Sequence, residues 1–181
     1  MKRLPYGSLC AVIVALSIVA AAAVAGAEDQ FVPYQNKRFR FATVVPRSWV
    51  SELRNTKTTS ARIFSGPERT ETYYTTINFQ VVIRKPGETV EDQAREIQKQ
   101  WASAPRYKLI ANDKGTLGGQ PAVRLIAVYQ APGTNEMYGQ EQYITVNGDY
   151  FYWIGYTAPG NLYDKYRPIM EQAINNFRFL P

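Results

Sequence analysis

Three acidic residues in the second half of the chain are the first candidates for chemistry. Glu136 and Glu141 flank a predicted strand start, and Asp149 lies at a predicted turn. A glycosidase works with two carboxylates about 5–9.5 Å apart. Nothing in this spacing selects such a pair from the chain's 15 acids, and acids are rarely buried, so all three read as solvated surface. Other chemistries are excluded more firmly. Histidine is absent, and the one cysteine, Cys10, lies in an apolar N-terminal stretch. That removes Ser-His and Cys-His nucleophiles and the usual zinc and copper ligands. There is no Ser-x-x-Lys, no phosphate-cradling Gly-x-x-x-x-Gly-Lys, no dinucleotide Gly-x-Gly-x-x-Gly and no aspartate-rich calcium loop. The expectation is a protein that catalyses nothing and carries no cofactor or metal.

The aromatic residues are the better candidates for binding. Tyr150, Tyr152 and Tyr156 share one face of a predicted strand with Ile154, while Phe151 and Trp153 share the other. Tyrosine suits a binding surface, with a large apolar ring and a polar tip. Helices packed on both faces would instead make these residues core. The core reading is the expectation for Tyr152. Tyr150 and Tyr156 lie nearer the strand ends and are the surface candidates. Trp49 follows a strand end and Trp101 lies on the apolar face of a predicted helix, so both read as core.

These residues need a scaffold, and hydrophobic periodicity supplies one. Phe39 and Phe41 alternate with Arg38, Arg40 and Ala42 in a strand that ends at Pro46-Arg47-Ser48-Trp49. Residues 51–60 are polar and read as a loop, followed by a short strand from Ala61 to Ser65 that Gly66-Pro67 breaks. Thr76 to Arg84 alternates over its whole length and is the clearest strand. The period then changes: Val90, Ala94, Ile97 and Trp101 mark a helical face, opened by Thr89 with Asp92 three residues on and closed by Pro105. Four more strands follow, Tyr107 to Leu117, Ala122 to Tyr129, Gln140 to Val146 and Tyr150 to Thr157. Their short links, Gly118-Gly119, Pro132 to Asn135 and Asn147-Gly148, force antiparallel pairing, and Asn-Gly asks for positive φ at both central turn residues. A second helix carries Leu162, Tyr166, Ile169, Ala173 and Phe177 on one face. Pro168 should kink it or mark the start of its main part. The predicted class is α+β, a mainly antiparallel sheet of about six or seven strands with helices packed on it.

Residues 1–27 read as an export signal. Lys2 and Arg3 precede an apolar run from Leu9 to Val24, then small Ala25-Gly26-Ala27 and polar Glu28-Asp29-Gln30. The run is short against the roughly 20 residues a membrane-spanning helix needs. Cleavage is expected between Ala27 and Glu28. It would leave residues 28–181 as a single periplasmic or secreted domain without a transmembrane anchor. Leu9 stands where a lipoprotein cysteine needs a small residue before it, so Cys10 is not a lipid anchor. The formal charge of +6 falls by two when Lys2 and Arg3 leave. Lys37-Arg38-Phe39-Arg40 is the densest basic cluster. On an exported protein such charge points to anionic envelope surfaces or acidic proteins rather than nucleic acid, and scattered surface charge also serves solubility.

The order of these features resembles the PsbP family, within the wider group of PsbP- and DcrB-like α/β/α sandwich proteins. The resemblance rests on Phe39-x-Phe41, Pro46-x-x-Trp49, the long strand from Thr76 to Arg84, and the Pro86-Gly87 turn into a helix. It continues with Leu117-Gly118-Gly119-Gln120-Pro121-Ala122 and the terminal Phe177, and covers about residues 31–180. It implies a sheet between helices with Phe39, Phe41, Pro46, Trp49, Trp101 and Phe177 in the core. It also implies non-catalytic protein binding, with another envelope or exported protein as partner. A small ligand or glycan on the tyrosine-rich strand is the alternative. The sequence departs from the photosynthetic members in its bacterial-type signal and its lack of histidine.

Overall fold

The structure, a computed structural model, describes residues 30–70 and 73–181. The expected export signal and its cleavage site at Ala27 and Glu28 lie outside the described residues. The elements in chain order are β1 (Phe31–Asn36), β2 (Phe41–Pro46), β3 (Val50–Asn55), β4 (Thr59–Arg69), β5 (Tyr74–Ile83) and α1 (Val90–Trp101). There follow β6 (Lys108–Leu117), β7 (Gln120–Gln130), β8 (Met137–Asn147), β9 (Tyr150–Pro159), α2 (Gly160–Asn175) and β10 (Arg178–Phe179).

Alternation in β5 sets up the architecture. Ile77, Phe79 and Val81 are buried, while Asn78, Gln80 and Val82 are only half-buried on the other side. β5 pairs antiparallel with β4 and with the central strand β9 in a seven-stranded sheet of order β3-β4-β5-β9-β8-β7-β6. The three hairpins from β6 to β9 are the predicted meander. Gly118 and Gly119 both take positive φ, 58° and 82°, in the two-residue link from Leu117 to Gln120, as a type I′ turn requires. The β8–β9 link differs from expectation. Asn147 pairs with Tyr150, so the central residues are Gly148 and Asp149, and of these only Gly148 has positive φ. That is the type II′ pattern, with glycine first.

Each sheet face has its own cover. α1 lays Ala94 and Ile97 on Val123, Leu125 and Ile144. Its N-terminus closes in a capping box, Asp92 N to Thr89 Oγ1 at 3.1 Å and Thr89 N to Asp92 Oδ2 at 2.9 Å. Trp101, expected in the core, is half-buried and packs against this cluster as the last residue of the helix. The opposite face is covered by α2 and by a separate three-stranded sheet, β1-β2-β10. Phe41 is central there, 1% exposed and within 5.4–6.0 Å of the rings of Tyr34, Phe79, Tyr152 and Phe177. Phe39, Pro46, Trp49 and Phe177 are buried as well.

Four local expectations need correction. Arg38 to Thr43 is not one strand: residues 37–40 are a turn, with Arg40 at φ 52°. Residues 51–60 are not a loop, since β3 pairs along its whole length with β4. Gly66-Pro67 does not break β4, because β3 ends its pairing at Ser65 and the strand continues past a register shift along a free edge, where proline is tolerated. The main part of α2 does not start at Pro168: one helix runs from Gly160 to Asn175 with Pro168 inside it and exposed, so the backbone carbonyl left without its helical donor can face water.

Candidate functional site

Three turns meet at one end of the molecule. The first joins β1 to β2 and carries the basic cluster. Asn36 Oδ1 accepts from Phe39 N at 3.1 Å, which tightens the turn. Phe39 turns inward, edge-on to Tyr150 at 5.4 Å, and its carbonyl accepts from Tyr152 Oη at 2.8 Å. The guanidinium of Arg38 lies 5.0 Å over the outer face of that ring. Arg40 Nε reaches the Pro181 carbonyl at 3.0 Å. The second turn joins β3 to β4. Thr56 Oγ1 accepts from the backbone of Thr58 at 3.3 Å and Thr59 at 3.0 Å, and Lys57 stands exposed at the tip. The third is the Gly148-Asp149 turn, which delivers Tyr150 at the start of β9.

Between these turns lie three neighbouring cavities of about 70, 380 and 390 Å³. Arg38 and Phe39 line all three. Lys37, Arg40, Lys57 and Arg62 add four further cations, against the single carboxylate of Asp149. Among the described residues Lys37, Arg38, Lys57 and Arg62 form no ion pair, while Arg40 is already held by the Pro181 oxygen. Hydroxyls of Thr56, Thr58, Thr59 and Ser60 and the rings of Phe39 and Tyr150 complete the lining. Unpaired cations beside hydroxyls and aromatic faces can hold an anionic group and stack a flat one. They offer no general base apart from Asp149. Among the described residues no group of histidine, cysteine, aspartate and glutamate could hold a metal ion.

The tyrosines of β9 separate by depth. Tyr150 is half-buried and lines two of the cavities. Tyr152 is 3% exposed and lines one cavity. Tyr156, expected to be a surface candidate, is fully buried: α2 covers it, and its hydroxyl donates to the Tyr163 carbonyl at 2.6 Å. Burial and the neighbouring Tyr163 push its hydroxyl far above the ordinary tyrosine range. It is a neutral donor within the core and cannot meet a ligand.

The reading of the three acids as solvated surface also needs correction at Glu141, which is 2% exposed. Odd positions of β8 face α2, and there Arg124 Nε reaches Glu141 Oε1 at 2.7 Å. Arg167 Nε and Tyr163 Oη reach Oε2 at 3.4 and 3.3 Å. Glu136 accepts from Thr70 Oγ1 and Tyr138 Oη, both at 2.7 Å, and Asp149 is exposed. Each acid thus has its own setting, with cations or hydroxyls filling the space a substrate would need at Glu141. Sequence reasoning missed Lys57 and Arg62 altogether. The available signal is the basic cluster at 37–40, which points to anionic surfaces, acidic proteins or plain solubility and says nothing of the distant cations that join it.

No family model matches the sequence, and no curated protein matches it. Solved structures do resemble the fold. Cyanobacterial PsbP from Synechocystis sp. PCC 6803 superposes with a TM-score of 0.63 at 12% identity, over 88% of this chain and 98% of that one. LpqN of Mycobacterium tuberculosis, involved in cell envelope biogenesis, gives 0.58 at 12% identity, over 84% and 91%. PA94 of Pseudomonas aeruginosa, a protein of unknown function, gives 0.52 at 16% identity, over 80% and 93%. The chain has a PsbP-like fold. Likeness at this level of identity speaks to fold and not to activity.

Proposed function

We propose that this PsbP-like chain is an exported, non-catalytic accessory protein that binds another protein of the cell envelope through its basic end. The observation that carries the proposal is the cation excess around the cavities that Arg38 and Phe39 share. Unpaired cations beside an aromatic floor recruit an acidic surface and anchor it. Export follows from the signal read in residues 1–27, with the mature chain starting at Glu28. Among the described residues no helix is long and apolar enough to cross a membrane. The resemblance to LpqN, itself involved in envelope biogenesis, supports an envelope setting. A small anionic ligand or glycan is the second reading, favoured by Tyr150 lining two cavities beside a hydroxyl-rich turn.

Capture from an envelope extract separates the two. The wild-type chain should retain a protein partner, and retention should fall with added salt. The double variant Arg38→Glu, Lys57→Glu should melt like wild type, since both side chains are exposed. It should retain the partner about tenfold less well, the effect of losing roughly 1.4 kcal/mol. Equal retention by the variant overturns the proposal. A thermal shift with small anionic ligands and no captured protein favours the second reading.

A further inference from the structure

One of the three cavities is a groove between two strand edges. β1 is an edge of the three-stranded sheet and β3 an edge of the seven-stranded one. The groove, about 390 Å³, is lined on one side by Tyr34 and on the other by Leu53 and Arg62, with Lys37 and Arg38 at its end. A free strand edge presents unpaired N–H and C=O groups, and natural proteins usually blunt it with proline or lysine. β1 is blunted in this way by Pro33. β3 has neither residue: its sequence is Val-Ser-Glu-Leu-Arg-Asn, every residue is exposed, and Val50 and Leu53 are 75% and 49% exposed. Its one charged device, the Glu52–Arg54 pair, lies on the face away from the groove, because Glu52 and Arg54 stand opposite Ile63 and Ala61. Leu53 stands opposite Arg62 and faces the groove.

Arg62 indicates what the groove accepts. Its Nε is buried and has no hydrogen-bond partner among the described residues, a costly state for a charged donor. No carboxylate lines the groove, while three cations do. A second copy of this chain paired edge to edge would bring the two sets of cations together, so charge disfavours it.

We propose that β3 accepts an extended acidic segment of the partner protein as an added strand, with carboxylates at alternate positions turned onto Arg62 and Arg38. Alternation follows from the strand itself, since every second side chain of an added strand falls on the groove face. Backbone pairing supplies general affinity, and Arg62 supplies the preference for acid. The inference rests on the binding role proposed above and names the mode of that binding.

The test uses the purified chain and an end-capped peptide of about eight residues alternating valine with glutamate, long enough to span a strand of ordinary length. Titration calorimetry should show saturable binding. The lysine counterpart should bind about tenfold more weakly, and so should the same acidic peptide N-methylated throughout, which keeps its charges and loses its strand-forming donors. Arg62→Gln should weaken the acidic peptide about tenfold while melting like wild type. No binding of the acidic peptide, equal binding of the lysine peptide, or equal binding of the methylated peptide each overturns the proposal. A concentration-dependent dimer abolished by Leu53→Lys would put a second copy on β3 and overturn it too. If the methylated peptide binds as well as its parent while Arg38→Glu, Lys57→Glu still loses the captured protein, the added strand is wrong and the binding role stands.

Discussion

Phe41→Ala is expected to destabilise the protein by about 3–5 kcal/mol, the range for truncating a fully buried aromatic. Phe41 is 1% exposed and is held by rings from four elements or segments: Tyr34 on β1, Phe79 on β5, Tyr152 on β9 and Phe177 after α2. Those rings are fixed by two different sheets and by the chain end, so the space left by the side chain cannot close without moving a layer. The cost therefore combines lost transfer energy with a persistent cavity. Urea unfolding should show a lower midpoint with an unchanged slope. A loss below about 1 kcal/mol, ordinary for a surface site, would mean that the two sheets do not meet at Phe41.

Arg124→Met should cost about 3 kcal/mol for a different reason. The Glu141 side chain is 3% exposed, and Arg124 Nε at 2.7 Å is its nearest cation. Removing that partner leaves a buried carboxylate with only the longer contacts to Arg167 and Tyr163, 3.4 and 3.3 Å. Breaking a buried pair from one side is far more costly than replacing both members. The Arg124 contact to Asp113 at 3.5 Å is largely exposed and contributes little. Adding Glu141→Gln to Arg124→Met should restore part of the loss, because the stranded charge is gone. Glu141→Gln alone should cost less than Arg124→Met, since Arg124 can turn its charge to water. The double-mutant cycle in denaturant measures the coupling. If Arg124→Met stays within about 0.5 kcal/mol of wild type, as exposed sites do, Glu141 is not held as described.

Much of the fold can be read from the chain where burial is one-sided. Ile77, Phe79 and Val81 mark β5 because one face of that strand is dry. Val90, Ala94, Ile97 and Trp101 mark α1, and Thr89 with Asp92 marks its start. β3 escapes the same reasoning because all six of its residues are exposed, so no alternation records its pairing. Phe39 misleads in another way: it alternates with Phe41 in sequence, yet it reaches the core from a turn. The depth of Tyr156 and Glu141 depends on how α2 folds back, settling over odd positions of β8 and even positions of β9, a tertiary packing that strand alternation alone does not record. The candidate site is less legible still. Residues 37–40, 55–60 and 147–150 are far apart in the chain, and only the pairing of β4, β5 and β9 and the packing of the three-stranded sheet bring them together. Of the tyrosines read from sequence, Tyr150 belongs to it, and the cations that give it its character carry no pattern a period could reveal.

In the proposed function the basic end is the face this protein uses. Site-specific photo-crosslinking in cells tests it most directly, with a benzophenone amino acid replacing Lys57 at the tip of the β3–β4 turn or Lys99 on α1, both exposed. One discrete, heavier adduct is expected from position 57, competed by the acidic peptide, and none from position 99. An adduct from position 99 with none from position 57 would place the working surface on the opposite side of the sheet, over α1, and rule out the basic end.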